Sequence, residues 1–154
     1  MFRELRRKDR QLNSAEAIEL LNNCEYGILS TTGENRYAYG VPVSYIYENN
    51  SIYFHCAVEG QKLDNIKNNN KVSFCVVGQT LLLPEKFSTN YASVIAFGTA
   101  VEVFDEEKNM AMLAIVSKYS PEFIETGKEY IKNAGNKTKV VKIRIEHMSG
   151  KGRK

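Results

Sequence analysis

Between Tyr37 and Tyr47 the chain alternates without a break. Tyr37, Tyr39, Val41, Val43, Tyr45 and Tyr47 fall on one face, and Ala38, Gly40, Pro42, Ser44 and Ile46 on the other. A period of two is the period of a strand, so one strand with a bulky face and a small face is expected here. A first strand precedes it at about 25–31 and ends in the Gly33-Glu34-Asn35 turn. Glu48-Asn49-Asn50 reads as a hairpin turn into a third strand over 51–57. Lys71 to Val77 alternates again, with Val72, Phe74 and Val76 inward. Ser93 to Phe104 reads as a long strand with Ile95, Phe97, Val101 and Val103 on one face and Gly98 as a bend. Lys139 to His147 is the last strand, with Val141, Ile143 and Ile145 inward and Lys142, Arg144 and Glu146 outward. The stretch Gly78 to Asn90 shows no period and is expected to be irregular, and its Leu81-Leu82-Leu83-Pro84 is too apolar to be left in water.

Helical spacing appears in four places. Asn13 and Ser14 open a short amphipathic helix, with Glu16 placed for a capping box and Ile18, Leu21 and Leu20 on its buried side. Gln61 to Asn69 is the second helix. Asp105 is expected to cap a third, whose apolar stripe is Ala111, Met112, Ile115, Val116 and Tyr119. Ser120-Pro121 begins a fourth as an N-cap followed by proline. Helix, three strands, helix, two strands, two helices and a strand lack the regular alternation of a doubly wound sheet. Short strands joined by hairpins favour a mainly β fold, an antiparallel barrel flanked by helices, with residues 1–154 as one domain.

Pro42 is the anomaly in this pattern. Proline cannot donate to a ladder, so it belongs at a sheet edge or a bulge. Beside Gly40, two readings stand: a bulge in a barrel wall, or a backbone edge left open for a ligand.

Composition is that of an ordinary globular chain, 43% hydrophobic and 25% charged over 154 residues. The net charge of +3 is mild but unevenly placed: Arg3, Arg6, Arg7, Lys8 and Arg10 lie near one end, Lys151, Arg153 and Lys154 at the other. Such ends can contact nucleic acid or a membrane, but the expectation is solvated arms or arms docked on a partner subunit. No aromatic-basic RNA motif supports a nucleic-acid module. No run approaches the ~18 apolar residues of a spanning helix, and no apolar leader is visible. Cys24, Cys56 and Cys75 are odd in number and sit in apolar, strand-like surroundings, which points to reduced thiols and a cytoplasmic setting. No CxxC or His/Cys cluster exists, so no metal site is expected.

The densest chemistry is Ile52-Tyr53-Phe54-His55-Cys56-Ala57-Val58-Glu59-Gly60-Gln61-Lys62-Leu63-Asp64. A strand ends in polar groups, turns at Gly60 and opens a helix with Lys62 in its first turn. Free amides and the helix dipole favour an anion there, and an ammonium adds a clamp suited to phosphate. A solvated lysine is the plainer reading of Lys62 alone, and a satisfied structural histidine that of His55. His55 is nevertheless the one group in this hairpin able to exchange a proton near neutral pH. Cys56 is adjacent to it, but neighbouring strand residues point to opposite faces, which argues against a thiolate–imidazole pair. His147 reads as a surface residue. No GxGxxG, Walker A or GxSxG motif is present.

These segments carry a family resemblance. Residues 1–10, Tyr39-Gly40-Val41-Pro42-Val43-Ser44-Tyr45 and Tyr53 to Asp64 resemble the pyridoxamine-phosphate-oxidase-like flavoproteins, and within them the 5-nitroimidazole-resistance branch. Lys71-Val72-Ser73-Phe74-Cys75-Val76 and Ser93-Val94-Ile95-Ala96-Phe97-Gly98 follow in the same order. The resemblance implies an FMN-binding split β-barrel that pairs as a homodimer with the cofactor between subunits. By position, Val41, Pro42 and Val43 would line the isoalloxazine ring, and His55, Cys56, Ala57 and Lys62 would surround the phosphate and ring edge. Tyr39, Tyr91 and the Leu81–Leu83 segment would wall the ring, with His55 as proton source. Relatives often carry serine where Cys56 stands, and a thiol donates a weaker hydrogen bond. The implied activity is reduction of nitro-aromatic or quinone-like electrophiles. The alternative is a non-catalytic carrier of flavin, haem or F420.

Overall fold

In the computed structural model, which describes residues 1–154, eight strands join in one antiparallel sheet. They are β1 Gly27–Thr32, β2 Ala38–Val43, β3 Ile46–Glu48, β4 Ser51–Ala57, β5 Lys71–Val77, β6 Leu81–Leu83, β7 Ser88–Val103 and β8 Thr138–Arg153. The helices are α1 Ser14–Asn23, α2 Gln61–Asn68, α3 Asp105–Tyr119 and α4 Ile124–Ala134. Strand order is β2-β1-β5-β7-β8-β4-β3, with β6 folded onto β7.

The expected single strand over 37–47 is two. Strands β2 and β3 lie at opposite ends of the sheet, yet only Ser44 and Tyr45 separate them. Three extended steps reach at most about 11 Å, so the two ends of the sheet must curl toward each other. The result is a barrel split between β2 and β3, a sheet that does not close. Tyr45 breaks the alternation because it fills the joint. Its ring is fully buried, edge-on to Phe74 at 4.9 Å between centroids, and its hydroxyl donates to the Leu21 carbonyl. The Tyr45 amide donates to Tyr119 Oη at 3.0 Å, and Lys118 Nζ donates to the Tyr45 carbonyl at 3.0 Å.

One core fills the barrel, built on Leu21, Leu29, Ile52, Phe54, Phe74, Val94 and Ile143, and a second lies between the sheet and α3, with Tyr53, Val103, Met112 and Val140. Val72, Phe74 and Val76 point inward as expected. In β7 the face shared by Ile95, Phe97, Val101 and Val103 lies outside the barrel: Val94 and Ala96 are buried while Ile95 and Phe97 are exposed. The pairing with β8 shifts at Phe97/Gly98, where Glu146 of β8 is the extra residue; beyond it Ala100 still faces the barrel core, while Val103 meets the second core beside α3. A Cβ on Gly98 would strike the Arg144 carbonyl, which is why glycine stands at this bend.

Other expectations are corrected similarly. The segment 78–90 contains β6 and the start of β7, and Leu81 and Leu82 stand exposed in the single chain. Asp105 is the first residue of α3 and makes no side-chain cap, with Phe104 in the cap position. In α1 the capping box between Asn13 and Glu16 is present, but Ala17 rather than Ile18 is buried beside Leu21. The basic ends are not loose arms: Lys151 and Arg153 belong to β8, and Gln11 bridges to Lys151. Asn49 and Asn50, both at positive φ, make the two-residue turn between β3 and β4.

Candidate functional site

Strand β4 pairs with β8 along its whole length, His55 opposite Val140 and Cys56 opposite Lys139. Alternation sends Phe54 and Cys56 into the barrel and Tyr53 toward α3. His55 shares the Tyr53 face, so its ring and the Cys56 thiol do not meet. Nδ1 of His55 is fully buried and has no hydrogen-bond partner. Burial pushes the imidazole pKa down, which keeps it neutral at pH 7. An orphaned acceptor costs less than an orphaned N–H, so the ring proton belongs on Nε2. Burial likewise raises the Cys56 thiol, while the Lys62 and Lys139 charges pull it part of the way back. Lys62 lies close enough to the Cys56 thiol for its charge to act there.

Gly60 joins β4 to α2 at φ 150°, a conformation suited to glycine, and an added Cβ would meet open space. Gly60 also occupies the cap position, so no side chain satisfies the first amides of α2. Those N–H groups and Lys62 are left for an external acceptor. The helix is pinned from below: Asn65, its one buried residue, donates to Thr31 Oγ1 at 3.0 Å, and Asn68 donates to the Thr32 carbonyl at 3.3 Å. Leu63 and Ile66 pack on the barrel core. Sequence reasoning missed Asn65 and Thr31; the available signal was an asparagine set between Leu63 and Ile66 on the apolar side of a helix.

Strand β2 pairs only with β1, Ile28 opposite Pro42 and Leu29 opposite Val41. Its far edge is open, so Pro42 sits on an edge strand and not at a bulge in a closed wall. Tyr39, Val41 and Val43 are half-buried; Ala38, Gly40 and Pro42 are exposed. Val41 and Val43 touch the same core as Cys56 and Leu63. Val41, Val43, Cys56 and Leu63 thus pack on one core, with Pro42 and Ala57 exposed. Tyr39 stands opposite Thr31, the residue that anchors α2, and His55 turns to the other face. Two larger cavities flank this region without using any of the predicted site residues. One, of about 670 Å³, lies between the Gly33-Glu34-Asn35 turn and Asp64, Asn65 and Asn68 of α2. The other, of about 450 Å³, lies on the outer sheet face beside Phe2, Phe97, Lys71 and Glu146.

The model of a family described as pyridoxamine 5'-phosphate oxidase matches residues 13–152. The chain belongs to that family. No curated protein matches it. A structure from Bacteroides thetaiotaomicron, named as a candidate 5-nitroimidazole antibiotic resistance protein, is 22% identical with TM-score 0.79, covering 92% of this chain and 86% of that one. A FAD-binding protein from Mesorhizobium loti is 21% identical with TM-score 0.68, covering 94% and 98%. The flavocytochrome Anf3 from Azotobacter vinelandii is 19% identical with TM-score 0.78, covering 98% and 72%. At these identities the likeness is one of fold, and the fold is one that flavin-binding proteins use. The three cysteines are free, no cluster of metal-ligating side chains is present, and no helix is long and apolar enough to cross a membrane.

Proposed function

We propose that this family member is an FMN-dependent oxidoreductase that works as a homodimer on nitro-aromatic or quinone-like electrophiles. The observation that carries this reading is the start of α2: Gly60 at φ 150°, a helix end without a side-chain cap, and Lys62 in its first turn beside the end of β4. That arrangement fits a terminal phosphate. The open edge of β2 fits the rest of the cofactor, because the backbone of Val41, Pro42 and Val43 has no strand on its far side. The orphaned Nδ1 of His55 marks a buried polar group that no protein partner satisfies. Bound flavin supplies the hydride and electron chemistry. Lys62 and the first amides of α2 would hold the phosphate, Cys56 and Ala57 would flank it, and Tyr39 would limit the ring's outer side. His55, neutral and carrying its proton on Nε2, would donate a hydrogen bond and not a proton.

A second copy of the chain fits the exposed outer face of β7, where Ile95 and Phe97 stand with Phe2 over them, and the β6–β7 hairpin with Leu81, Leu82 and Phe87. An apolar surface of this kind is characteristic of a covered interface.

The test begins with absorbance of the purified protein. A flavin spectrum, mass identification of FMN, bleaching by NADH or NADPH and reoxidation by a nitro compound support the reading. Flavin that binds but never turns over favours a carrier, and a Soret band favours haem. Lys62→Ala removes a charge-assisted contact worth about 1.5–3 kcal/mol, so FMN should dissociate roughly ten- to a hundredfold more readily. Equal retention in the variant removes Lys62 from the phosphate. For His55→Gln, unchanged turnover with flavin retained removes His55 from the reaction.

A further inference from the structure

A polar cavity of about 670 Å³ separates the Gly33-Glu34-Asn35 turn from α2, and no apolar side chain lines it. Spacing builds its helical wall: Gln61, Asp64 and Asn68 recur at three and four residues, on one face of α2. Two asparagines tie that wall to β1. Asn65 Nδ2 donates to Thr31 Oγ1 at 3.0 Å, and Asn68 Nδ2 to the Thr32 carbonyl at 3.3 Å. Both side-chain oxygens are left as acceptors, since an amide donates through its nitrogen and accepts through its oxygen.

Asn65 is only 5% exposed, and its side chain is hydrogen-bonded through the nitrogen alone. Its Oδ1 faces the turn: a Cβ built on Gly33 would lie 2.8 Å from it. An acceptor held this deep gains from a donor that the protein itself does not supply. Carboxylates stand on both walls, Glu34 on the turn and Asp64 on α2, and neither takes part in an ion pair of the chain. Lys67, the one cation of the lining, is paired with neither. Acceptors are in excess on both sides.

We propose that this cavity binds an aliphatic diamine or polyamine, one ammonium group held by Asp64 and Asn65 Oδ1 and a second by Glu34. An ammonium carries three N–H donors and no acceptor, which is the complement of this lining. Carboxylates on opposite walls suit two cationic groups joined by a short chain better than one. Calcium takes about six to eight oxygen ligands, more than two carboxylates and two amide oxygens provide. An aromatic ligand would find no apolar wall, and an anion would meet Glu34 and Asp64. Lys67 opposes a cation here, so it limits the affinity. The site uses none of the residues assigned to the flavin and goes beyond that reading.

Calorimetric titration of the purified protein with putrescine and spermidine, and separately with butylamine and calcium, tests the site. One equivalent of putrescine or spermidine should bind saturably, more tightly than butylamine, and less tightly as salt is raised. Asp64→Asn and Glu34→Gln should each weaken that binding about tenfold, and Lys67→Gln should strengthen it severalfold. Glu48→Gln removes a charge at the end of β3, outside the cavity, and should bind as the parent does. No saturation with either polyamine, butylamine binding as tightly as putrescine, or calcium binding more tightly than both overturns the proposal. So does undiminished binding in both Asp64→Asn and Glu34→Gln. Equal weakening in Glu48→Gln would reduce the effect to general surface charge, and weaker binding in Lys67→Gln would assign the cavity to an anion; either overturns it. If Asp64→Asn fails to fold, Glu34→Gln, on an exposed turn, decides alone. A parent protein that holds no FMN defeats the flavin reading, while titration of that same flavin-free protein still decides this one.

Discussion

His55 shows how one side chain couples chemistry to stability. Its Nδ1 is buried without a partner, and burial lowers its pKa, so the folded protein binds the imidazole in its neutral form. The unfolded chain protonates near the ordinary value of about 6.5. Above that pH both states are neutral and the group is silent; as pH falls, the unfolded state gains a proton that the folded state resists. Stability should therefore fall between about pH 7 and pH 5, and His55→Gln should flatten that part of the curve. Urea midpoints for parent and variant across this range check it, and parallel curves would assign the loss to other groups. Asn13 and Glu16 were legible at this scale because a capping box is a local pattern. Tyr45 was not. Its alternation with Val43 and Tyr47 is that of a strand, whereas its partners Leu21, Phe74 and Tyr119 are distant in sequence.

At the scale of elements, β5 was readable from its alternation because only one of its faces meets the core. In strand β7 period two sets Ile95, Phe97, Val101 and Val103 on one face, but it cannot say which side is inward. Small Ala96 is buried, and large Phe97 is not. The motif from His55 to Lys62 was legible because strand end, glycine turn and helix start are contiguous. Its support by Thr31 and Asn65 crosses between elements and left little trace in the sequence. Gly60→Ala separates cradle from fold. The added methyl meets nothing within 4 Å, so only the φ of 150° is at issue. Relaxing it costs about 1–3 kcal/mol or re-aims the first turn of α2. FMN retention should drop at least as much as in Lys62→Ala, while the melting temperature falls only a few degrees. Full retention with normal stability would separate the flavin from this turn.

For the whole molecule, the split between β2 and β3 and the apolar outer face belong to one design. A barrel left open at β2 exposes backbone, and the faces beside it expose Ile95, Phe97, Leu81, Leu82 and Phe87. In the proposed homodimer a second copy lying over both would complete a cleft and remove apolar area from water. Phe97→Asp tests this with little damage to the single chain, because Phe97 is 38% exposed and its ring meets only the side chains of Phe2 and His147 among aromatic neighbours. A carboxylate there would be buried unpaired in the dimer at a cost of several kcal/mol, enough to dissociate it at micromolar concentration. Sedimentation should show a monomer of unchanged secondary structure. If the cofactor is shared between copies, FMN should leave with the partner. A dimer that survives Phe97→Asp moves the interface to another face, and a monomer that keeps its flavin confines the cleft to one chain, with β2 open to solvent rather than to a partner.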